Sequence, residues 1–367
     1  MIAKKIIVGI SGGVDSAVSA LLLKQQGWQV EGLFMFNWAE DEAGYCNAAE
    51  DFQTARQVCD ELDIPLHRAD FSAEYRERVF QQFLDEYAAG RTPNPDVLCN
   101  REIKFRSFLE HAARLGAPFV ATGHYAGVEE HEGQHWLVKA ADGNKDQTYF
   151  LALVPEAAFA RTHFPLAGLR KPEVRELAQK AGLPNHARKD STGICFIGER
   201  PMREFLNRYL PAPPGPIMSL DRPGEVLGEH SGLIHYTPGQ RKGLRVGGRR
   251  GANEAPWYVV RKDLKQNILF VSQDNDNKEL CKKTLLTGPS HWIGPPPRPG
   301  SYTARIRHRQ QEQLCQLQPQ KENERGGLRV EFAQAQRAMT AGQYVVFYQA
   351  QRCLGGAVIE RVGHESS

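Results

Sequence analysis

Six residues near the start of the chain, SGGVDS from Ser11 to Ser16, could bind an anion. They follow a strand-like run and precede a helical one, so the amides of the turn and the helix dipole point to one place. Gly12 and Gly13 allow a phosphate group to approach the backbone closely, while Ser11 and Ser16 add hydroxyl donors. The segment therefore predicts a site for pyrophosphate or a similar anion.

Two other interpretations of this segment are a Walker-type P-loop and an ordinary turn. The Walker pattern requires a lysine followed by serine or threonine, and SGGVDS has neither that lysine nor that spacing. In the ordinary turn, Asp15 would cap the helix and no ligand would bind. The hexapeptide in this setting favours the anion site.

One cysteine, Cys99, is the next-to-last residue of the run TPNPDVLCN at 92–100. We expect the two prolines to hold an extended loop and a helix to begin at Asn100, so that Cys99 lies beside a helix N-terminus that stabilises a thiolate. Asp96, three residues earlier, could exchange protons with a substrate base. This segment therefore predicts a reactive thiol with an acid–base group beside it.

A second cysteine, Cys195, follows a glycine-containing turn in RKDSTGICF. The charges of Arg188 and Lys189 would favour a thiolate or a persulfide anion on it. The remaining cysteines are expected to be small buried hydrophobic residues. They are Cys46, Cys59, Cys281, Cys315 and Cys353.

Alternating strands and helices are expected to position these residues. Strands are predicted at residues 4–10, 30–36 and 119–122, and helices at 17–26, 48–62, 74–88 and 100–115. In the helix at 48–62, Phe52, Ala55 and Cys59 recur at three- and four-residue steps and line one face. The alternation predicts an α/β fold with a doubly wound parallel sheet.

The second half of the chain has a different sequence pattern, with short predicted strands separated by glycines and prolines. After a predicted helix at 202–210, the segment PAPPGP cannot form a helix or a sheet interior. We therefore predict a catalytic domain at 1–210, a small β-rich central domain at 211–280 and a C-terminal β-barrel at 281–367. The barrel strands are expected at 302–309, 314–317, 328–332, 343–348 and 353–360. The segment after Tyr125, AGVEEHEGQHWLVKA, is expected to be a surface hairpin, and the tail after Val362 a disordered end.

Basic residues cluster at 240–250, QRKGLRVGGRR, and at 305–309, RIRHR. In the strand expected at 302–309, Thr303, Arg305, Arg307 and Arg309 would share one face. A row of arginines can follow an RNA backbone, although a solvated outer face explains the pattern equally well.

Bulk composition limits the class of protein. The chain has 367 residues, of which 41% are hydrophobic and 24% charged, so two or three compact units with real cores are expected. A net charge of +3 is too small to indicate nucleic-acid binding by itself. The sequence contains neither a membrane-length apolar run nor a signal peptide, which predicts a cytoplasmic protein. Seven dispersed cysteines argue against a disulfide framework or a zinc ribbon, and no metal-ligand cluster is visible.

A set of five motifs resembles the tRNA-specific 2-thiouridylase family, a branch of the PP-loop ATP pyrophosphatase superfamily. They are SGGVDS, TPNPDVLCN, ATGHYA at 121–126, KDQTYFL at 145–151 and KDSTGICF at 189–196. The motifs occur in the family's order, and the resemblance covers nearly the whole chain. The phosphate motif alone could not separate this family from other PP-loop enzymes.

The resemblance implies a role for each matching residue. Cys99 would be the nucleophile, Cys195 the persulfide carrier and Asp96 a catalytic group. ATP would be bound by Gly9, Ile10, Ser11, Gly12, Gly13, Val14, Asp15, Ser16, Met35 and Gly123. The target base would be held by Asn94, Pro95 and Asp96. Further tRNA contacts would come from His124, Lys145, Asp146, Gln147, Arg307, His308 and Gln343.

The resemblance also implies the reaction. ATP, with Mg²⁺, would adenylate the 2-oxygen of a wobble uridine flipped out of the tRNA, and sulfur from the Cys195 persulfide would replace that oxygen. A Cys99–Cys195 disulfide would be the oxidised by-product. The expected partners are the tRNAs for lysine, glutamate and glutamine and a protein that donates persulfide sulfur. No membrane is expected to take part.

Two other functions remain open on the sequence. A PP-loop ligase or amidotransferase that acts on a small metabolite would need no second cysteine. A non-catalytic RNA-binding protein with a decayed nucleotide fold would release no AMP.

Overall fold

Strands and helices alternate in the first part of the chain. A computed structural model describes residues 4–38, 48–190, 201–246, 255–320 and 326–363. The elements before residue 122 are β1 (Lys5–Gly9), α1 (Val14–Gln25), β2 (Gln29–Phe36), α2 (Ala48–Glu61), β3 (Leu66–Asp70), α3 (Ser72–Tyr75), α4 (Gln81–Ala88), α5 (Pro95–Cys99), α6 (Phe108–Arg114) and β4 (Phe119–Ala121). Two π-helical segments, Arg76–Phe80 and Asn100–Ser107, join α3 to α4 and α5 to α6 into continuous helical runs.

Shorter elements follow up to the predicted domain boundary. They are β5 (Gly127–His131), β6 (Gln134–Val138), α7 (Thr148–Leu151), α8 (Glu156–Phe159), β7 (Thr162–His163), α9 (Lys171–Lys180) and α10 (Met202–Leu206). None of the described helices is long and apolar enough to cross a membrane.

A parallel sheet forms the centre of this region, with the strand order β3-β2-β1-β4-β7. Successive residues of a strand point to opposite faces, and here they enter two separate cores. Ile7 packs in one core with Phe83 and Phe108, and Ile6 packs in the other with Leu23 and Val58. Helices therefore cover both faces, which confirms the predicted doubly wound α/β fold.

The central region is a small β-sheet with its own core. Its elements are β8 (Gly215–Ser219), β9 (Val226–His230), a 3₁₀ turn (Leu233–His235), β10 (Tyr258–Asp263) and β11 (Ile268–Ser272), and the described strand order is β10-β11-β8-β9. Ile217, Val259 and Leu269 are buried between its elements.

A closed antiparallel barrel follows. Its strands are β12 (Cys281–Pro289), the short β13 (His291–Trp292), β14 (Gly300–Arg305), β15 (Gln313–Pro319), β16 (Gly327–Arg337), β17 (Tyr344–Gln349) and β18 (Arg352–Val362). Within the described residues the order is β12-β16-β15-β14-β17-β18, and β12 also pairs with β18, which closes the ring. The predicted barrel is confirmed.

The hairpin β5–β6 lies where a surface hairpin was expected, but it is also joined to the barrel. Strand β6 pairs with β18, with Leu137 opposite Cys353. Leu137 is fully buried, so the hairpin ties the first domain to the barrel sheet.

Two local predictions were wrong. The helical run that contains Cys99 begins at Pro95, because Asn94 is the N-cap and its side chain accepts a hydrogen bond from the Asp96 N–H. Strand β14 ends at Arg305, because residues 306–309 form a bend and a turn: the Ile306 N–H bonds the Gln310 side chain instead of a neighbouring strand, and Arg309 has a left-handed φ of +65°. The expected row of arginines on one strand face therefore does not form.

Candidate active site

The SGGVDS segment forms a tight loop between β1 and α1. Ser16 donates from Oγ to the Gly13 carbonyl at 3.0 Å and accepts from the Ser11 N–H at 3.2 Å. Gly12 has φ +78°, and a Cβ there would lie 2.7 Å from the Asp51 carbonyl oxygen. Only glycine fits at this position without strain.

The N-terminus of α1 has no side-chain cap among the described residues. Gly13 is the N-cap, so the alternative in which Asp15 caps the helix is wrong. The first N–H groups of a helix have no intrahelical acceptor, and here they lie beside the glycine turn. The geometry is that of an anion site.

Asp15 instead belongs to a network of charged side chains. Its carboxylate accepts hydrogen bonds from Lys171 Nζ at 2.7 and 2.8 Å and from the Tyr125 hydroxyl at 2.8 Å. Lys171 also pairs with Asp190 at 2.7 Å, and Asp190 in turn binds Lys145 at 2.6 Å. One connected network therefore joins the phosphate loop to Lys145, at the start of the KDQTYFL motif, and to Asp190, near the start of the KDSTGICF motif.

The network fixes the protonation of its members. Burial raises the pKa of Asp190, but the hydrogen bonds from Lys145 and Lys171 outweigh burial and lower the pKa to about 2. Burial and the Asp15 carboxylate both raise the pKa of Tyr125 above its ordinary value. At neutral pH, Asp190 is therefore an anion and Tyr125 a hydrogen-bond donor.

The other residues expected to bind ATP lie against the same loop. A Cβ on Gly123 would come within 2.7 Å of the Ser16 amide nitrogen, so a side chain there would displace the loop. A Cβ on Gly9 would lie 3.2 Å from the Met35 methyl carbon. The structure thus brings Met35 and Gly123 to the end of β1.

One lysine, Lys104, lowers the pKa of both Asp96 and His124. Burial raises the pKa of Asp96, and the nearby Lys104 ammonium partly opposes this rise. Burial holds the pKa of His124 well below its usual value, and Lys104 lowers it further. His124 also shares a 2.7 Å hydrogen bond with Thr122, so its ring is neutral and fixed in place. The Lys104 charge therefore acts both on the segment predicted to hold the target base, Asn94 to Asp96 (the predicted base loop), and on His124, the residue that follows Gly123.

Cys99 is the last residue of α5 and is buried. It lies in the second turn of a helical run, where the N-terminal field that was expected to stabilise its thiolate is weaker than in the first turn. Cys195 lies outside the described residues, so the distance between the two sulfur atoms stays a prediction. Arg188, expected to favour a Cys195 anion, binds the Gly12 carbonyl at 3.2 Å and the Asp51 carboxylate.

The other described cysteines fit their expected structural role, with one difference. Burial raises the pKa of the Cys59, Cys315 and Cys353 thiols to about 12, so they stay protonated. Cys281 is only half-buried. Cys46 lies outside the described residues.

Several of the residues expected to contact tRNA meet at the junction between the first domain and the barrel, whereas the His124 contacts lie within the first domain. Asp146 is only 3% exposed and pairs with Arg305 at 2.6 Å. Its carbonyl accepts from His308 at 3.1 Å, if that ring nitrogen carries the proton. The Gln147 side chain accepts from the Tyr125 amide at 2.9 Å.

Two further barrel residues have protein partners at this junction. Gln343 donates to the Thr92 carbonyl at 2.7 Å, and Arg307 donates to the Ala338 carbonyl at 2.8 Å. In this structure, these side chains hold the barrel strands and loops in place beside the predicted base loop.

The sequence analysis assigned no role to Tyr125, Lys171 or Asp190. Tyr125 lies in the motif ATGHYA and Asp190 in KDSTGICF, so their positions in family motifs could have identified them as site residues. Lys171 has no local signal, because its contact with Asp15 spans 156 positions.

Comparisons with known proteins agree with this architecture. Three family models match in order: a tRNA methyl transferase HUP domain at residues 4–199, a tRNA methyl transferase PRC-barrel domain at 203–273 and an aminomethyltransferase beta-barrel domain at 282–359.

Curated relatives match over almost their whole length. The tRNA-specific 2-thiouridylase MnmA of Nitrosomonas eutropha is 54% identical over 358 residues, which is 97% of this chain and 98% of the relative. The protein of the same name from Hahella chejuensis is 54% identical over 362 residues, covering 98% of both chains. This chain therefore belongs to the tRNA-specific 2-thiouridylase family of PP-loop ATP pyrophosphatases.

Proposed function

We propose that this chain is an ATP-dependent tRNA-uridine 2-sulfurtransferase that converts the wobble uridine of tRNA to 2-thiouridine. Its near full-length relatives are named tRNA-specific 2-thiouridylases. The observation that carries the proposal is the N-terminus of α1, which no described side chain caps and which lies beside the Asp15–Lys171 pair. Such a site suits the leaving pyrophosphate of an adenylation reaction.

In the first step, the uridine 2-oxygen attacks the α-phosphorus of ATP. A new O–P bond forms, the bond to the β-phosphate oxygen breaks, and pyrophosphate leaves. Asp96, a partly buried residue of the predicted base loop, takes the proton that the pyrimidine loses. Gly9 to Ser16, Met35 and Gly123 hold the nucleotide, and Mg²⁺ enters with it as the phosphate counter-ion.

In the second step, the outer sulfur of a Cys195 persulfide attacks carbon 2 of the base, and AMP leaves with the former 2-oxygen. The Cys99 thiolate then attacks the inner sulfur of Cys195, which frees 2-thiouridine and leaves a Cys99–Cys195 disulfide. A thiol reductant must regenerate the enzyme, and a donor protein must restore the persulfide.

The barrel and the first domain would both bind the RNA. Lys145 to Gln147, Arg307, His308 and Gln343 lie near their junction, and His124 is buried in the first domain beside Thr122. We propose that the units at 1–210, 211–280 and 281–367 act together on tRNAs for lysine, glutamate and glutamine. The reaction would take place in the cytoplasm, where these tRNAs are used.

The direct test supplies ATP, unmodified tRNA and a persulfide source, and then measures 2-thiouridine in the digested RNA by mass spectrometry. We expect wild type to form it, Cys99→Ser and Cys195→Ser to form none, and the matched control Cys281→Ser to behave as wild type. Full single-turnover activity in either site variant would contradict the role of that thiol.

The same assay tests the two alternative functions. A ligase acting on a small metabolite would release AMP from ATP without tRNA, provided that its own substrate is present. A non-catalytic RNA-binding protein would bind tRNA and release no AMP.

A further inference from the structure

Thr92, two positions before the predicted base loop, is bound by two other parts of the molecule. Its N–H donates to the Ala341 carbonyl of the barrel at 3.0 Å, and its carbonyl accepts from the Gln343 side chain at 2.7 Å. Its hydroxyl shares a 3.1 Å hydrogen bond with the hydroxyl of Thr237, which follows the 3₁₀ turn of the central region. Each polar group of Thr92 therefore bonds to a residue outside the first domain.

The chain between Thr92 and Asp96 is stiff. Pro93 and Pro95 each fix their own φ angle, and each restricts the residue before it. Asn94 then caps α5, because its side chain accepts a hydrogen bond from the Asp96 N–H at 3.2 Å. A shift of Thr92 therefore moves Asn94 and Asp96 with it.

The contact between the barrel and Thr92 is also close-packed. Gly342 has φ +89°, and a Cβ there would lie 3.0 Å from the Thr92 nitrogen, the Thr92 carbonyl oxygen and the Arg91 Cβ. Arg91 is bound within its own domain, where it donates to Glu86 of α4 at 2.6 Å. The chain at Arg91 and Thr92 thus passes from a contact with α4 to a contact with the barrel.

The turn that carries Thr237 leads into the basic segment that begins at Gln240. The Gln240 side chain accepts from the Thr237 N–H at 3.0 Å, and the Gln240 N–H donates to the Thr237 carbonyl at 3.0 Å. A Cβ on Gly239 would lie 2.6 Å from the Ala338 Cβ of the barrel. RNA phosphates bound by the basic segment would therefore fix the position of Thr237 against Thr92.

We propose that Thr237 and Gln343 are positioning residues, which place Asp96 for proton transfer by holding Thr92 from the central region and from the barrel. The inference rests on the proposed function, because it takes Asp96 as the group that accepts the proton of the target base. It goes beyond that function by giving the central region a part in the adenylation step. Adenylation is then fast only when the three units are held in their correct relation, as an RNA bound across them would hold them.

The competing possibility is that the contact between Thr92 and Thr237 only helps to hold the domains together. Loss of such a contact would lower stability and tRNA affinity, and saturating concentrations would restore the rate. Loss of a positioning contact instead lowers the rate at saturation, because the bound base then faces a displaced Asp96.

The experiment measures pyrophosphate release from ATP in single turnovers, with the full chain in excess over unmodified tRNA and without persulfide. These conditions report the adenylation step alone. We expect Thr237→Val to lower the maximal rate about 3- to 10-fold, the range for one neutral hydrogen bond. The protein concentration that gives half of the maximal rate should stay within about twofold of wild type. Thr237→Ser keeps a hydroxyl group and should recover most of the rate.

Two comparisons separate the Thr92 contact from a general loosening of the domains. Thr92→Val should lower the maximal rate as Thr237→Val does, and the double variant should be no slower than either single variant, because both changes remove the same hydrogen bond. Asn207→Ala removes another contact between the first domain and the central region, a 2.9 Å hydrogen bond with His235, and should keep the wild-type rate. Multiplied losses in the double variant, or an equal loss in Asn207→Ala, would overturn the inference.

Amide hydrogen exchange provides a readout that does not depend on activity. The Asp96 N–H should exchange faster in Thr237→Val than in wild type, because its acceptor Asn94 is held less firmly, whereas the amides of β1 should not change. Unchanged exchange at Asp96 would refute the positioning role. Wild type that releases no pyrophosphate with tRNA would contradict the proposed function, and the exchange at Asp96 would then decide whether Thr237 positions the predicted base loop.

Discussion

Two carboxyl groups near the candidate site have opposite environments. Asp190 is surrounded by cations, which hold its pKa at about 2, whereas burial raises the pKa of Asp96. A group that must stay charged and a group that must exchange a proton need such different surroundings. Asp190 therefore suits an electrostatic role, and Asp96 suits proton transfer.

The first prediction concerns Asp96→Asn. This change should lower the rate of 2-thiouridine formation about 100-fold or more, because asparagine cannot exchange the proton. It should not destabilise the fold at neutral pH, because it removes a partly buried carboxylate whose charged form is disfavoured by desolvation. Single-turnover kinetics and urea unfolding at pH 7 measure the two effects.

The pH dependence of stability gives the control. A raised pKa means that the folded state binds the Asp96 proton more tightly than the unfolded state. The contribution of Asp96 to stability is therefore most favourable below its ordinary pKa of 3.8 and decreases as the pH rises through the folded pKa. Any stability advantage of Asp96→Asn should shrink as the pH is lowered toward about 4. An unchanged reaction rate would contradict the role in proton transfer.

At the scale of elements, local patterns predicted most of the first domain. The strand β1, the SGGVDS turn and α1 were predicted because hydrophobic periodicity and turn residues act over a few positions. The helix start at Pro95 was missed, although Asn94 followed by proline is a known N-cap signal. The Lys171–Asp15 contact could not be predicted, because it joins two elements far apart in the chain.

The second prediction concerns the turn before α1. Gly12→Ala should reduce ATP affinity about tenfold or more, because a left-handed conformation costs a side-chain-bearing residue roughly 1–2 kcal/mol and the new Cβ meets the Asp51 carbonyl oxygen. The loop must then shift away from its ligand. Equilibrium dialysis with labelled ATP measures the loss.

Gly182→Ala is the matched control for this change. Gly182 has φ +69°, and a Cβ there would meet nothing within 4 Å. It therefore has the same conformational cost without the clash and should keep wild-type ATP affinity. Equal loss in the two variants would mean that general destabilisation, rather than the loop, weakens binding.

At the scale of the whole molecule, the barrel is joined to the first domain by buried polar contacts as well as by the β6–β18 pairing. Arg305 of the barrel donates to Asp146 at 2.6 Å and to Glu312 at 3.0 Å, and its guanidinium lies over the Tyr348 ring. The sequence analysis expected Arg305 in a row of arginines that could follow RNA or face solvent, because strand alternation cannot show where a strand ends. The contact instead fixes the turn that also carries Lys145 and Gln147.

The third prediction tests this junction. Arg305→Met should lower the free energy of unfolding by about 3 kcal/mol, because it leaves the Asp146 carboxylate buried without its main cation. Arg329→Met is the control, since Arg329 and Glu331 form a 3.7 Å pair with side chains 32% and 49% exposed, and it should cost less than about 1 kcal/mol. The double variant Asp146→Asn/Arg305→Met should recover part of the loss, because no unpaired charge remains.

Urea unfolding of wild type and the three variants measures these changes in stability. The affinity for tRNA should also fall in Arg305→Met, because the barrel is held less firmly against the first domain. Equal costs for Arg305→Met and Arg329→Met would mean that the β6–β18 pairing alone holds the barrel in place.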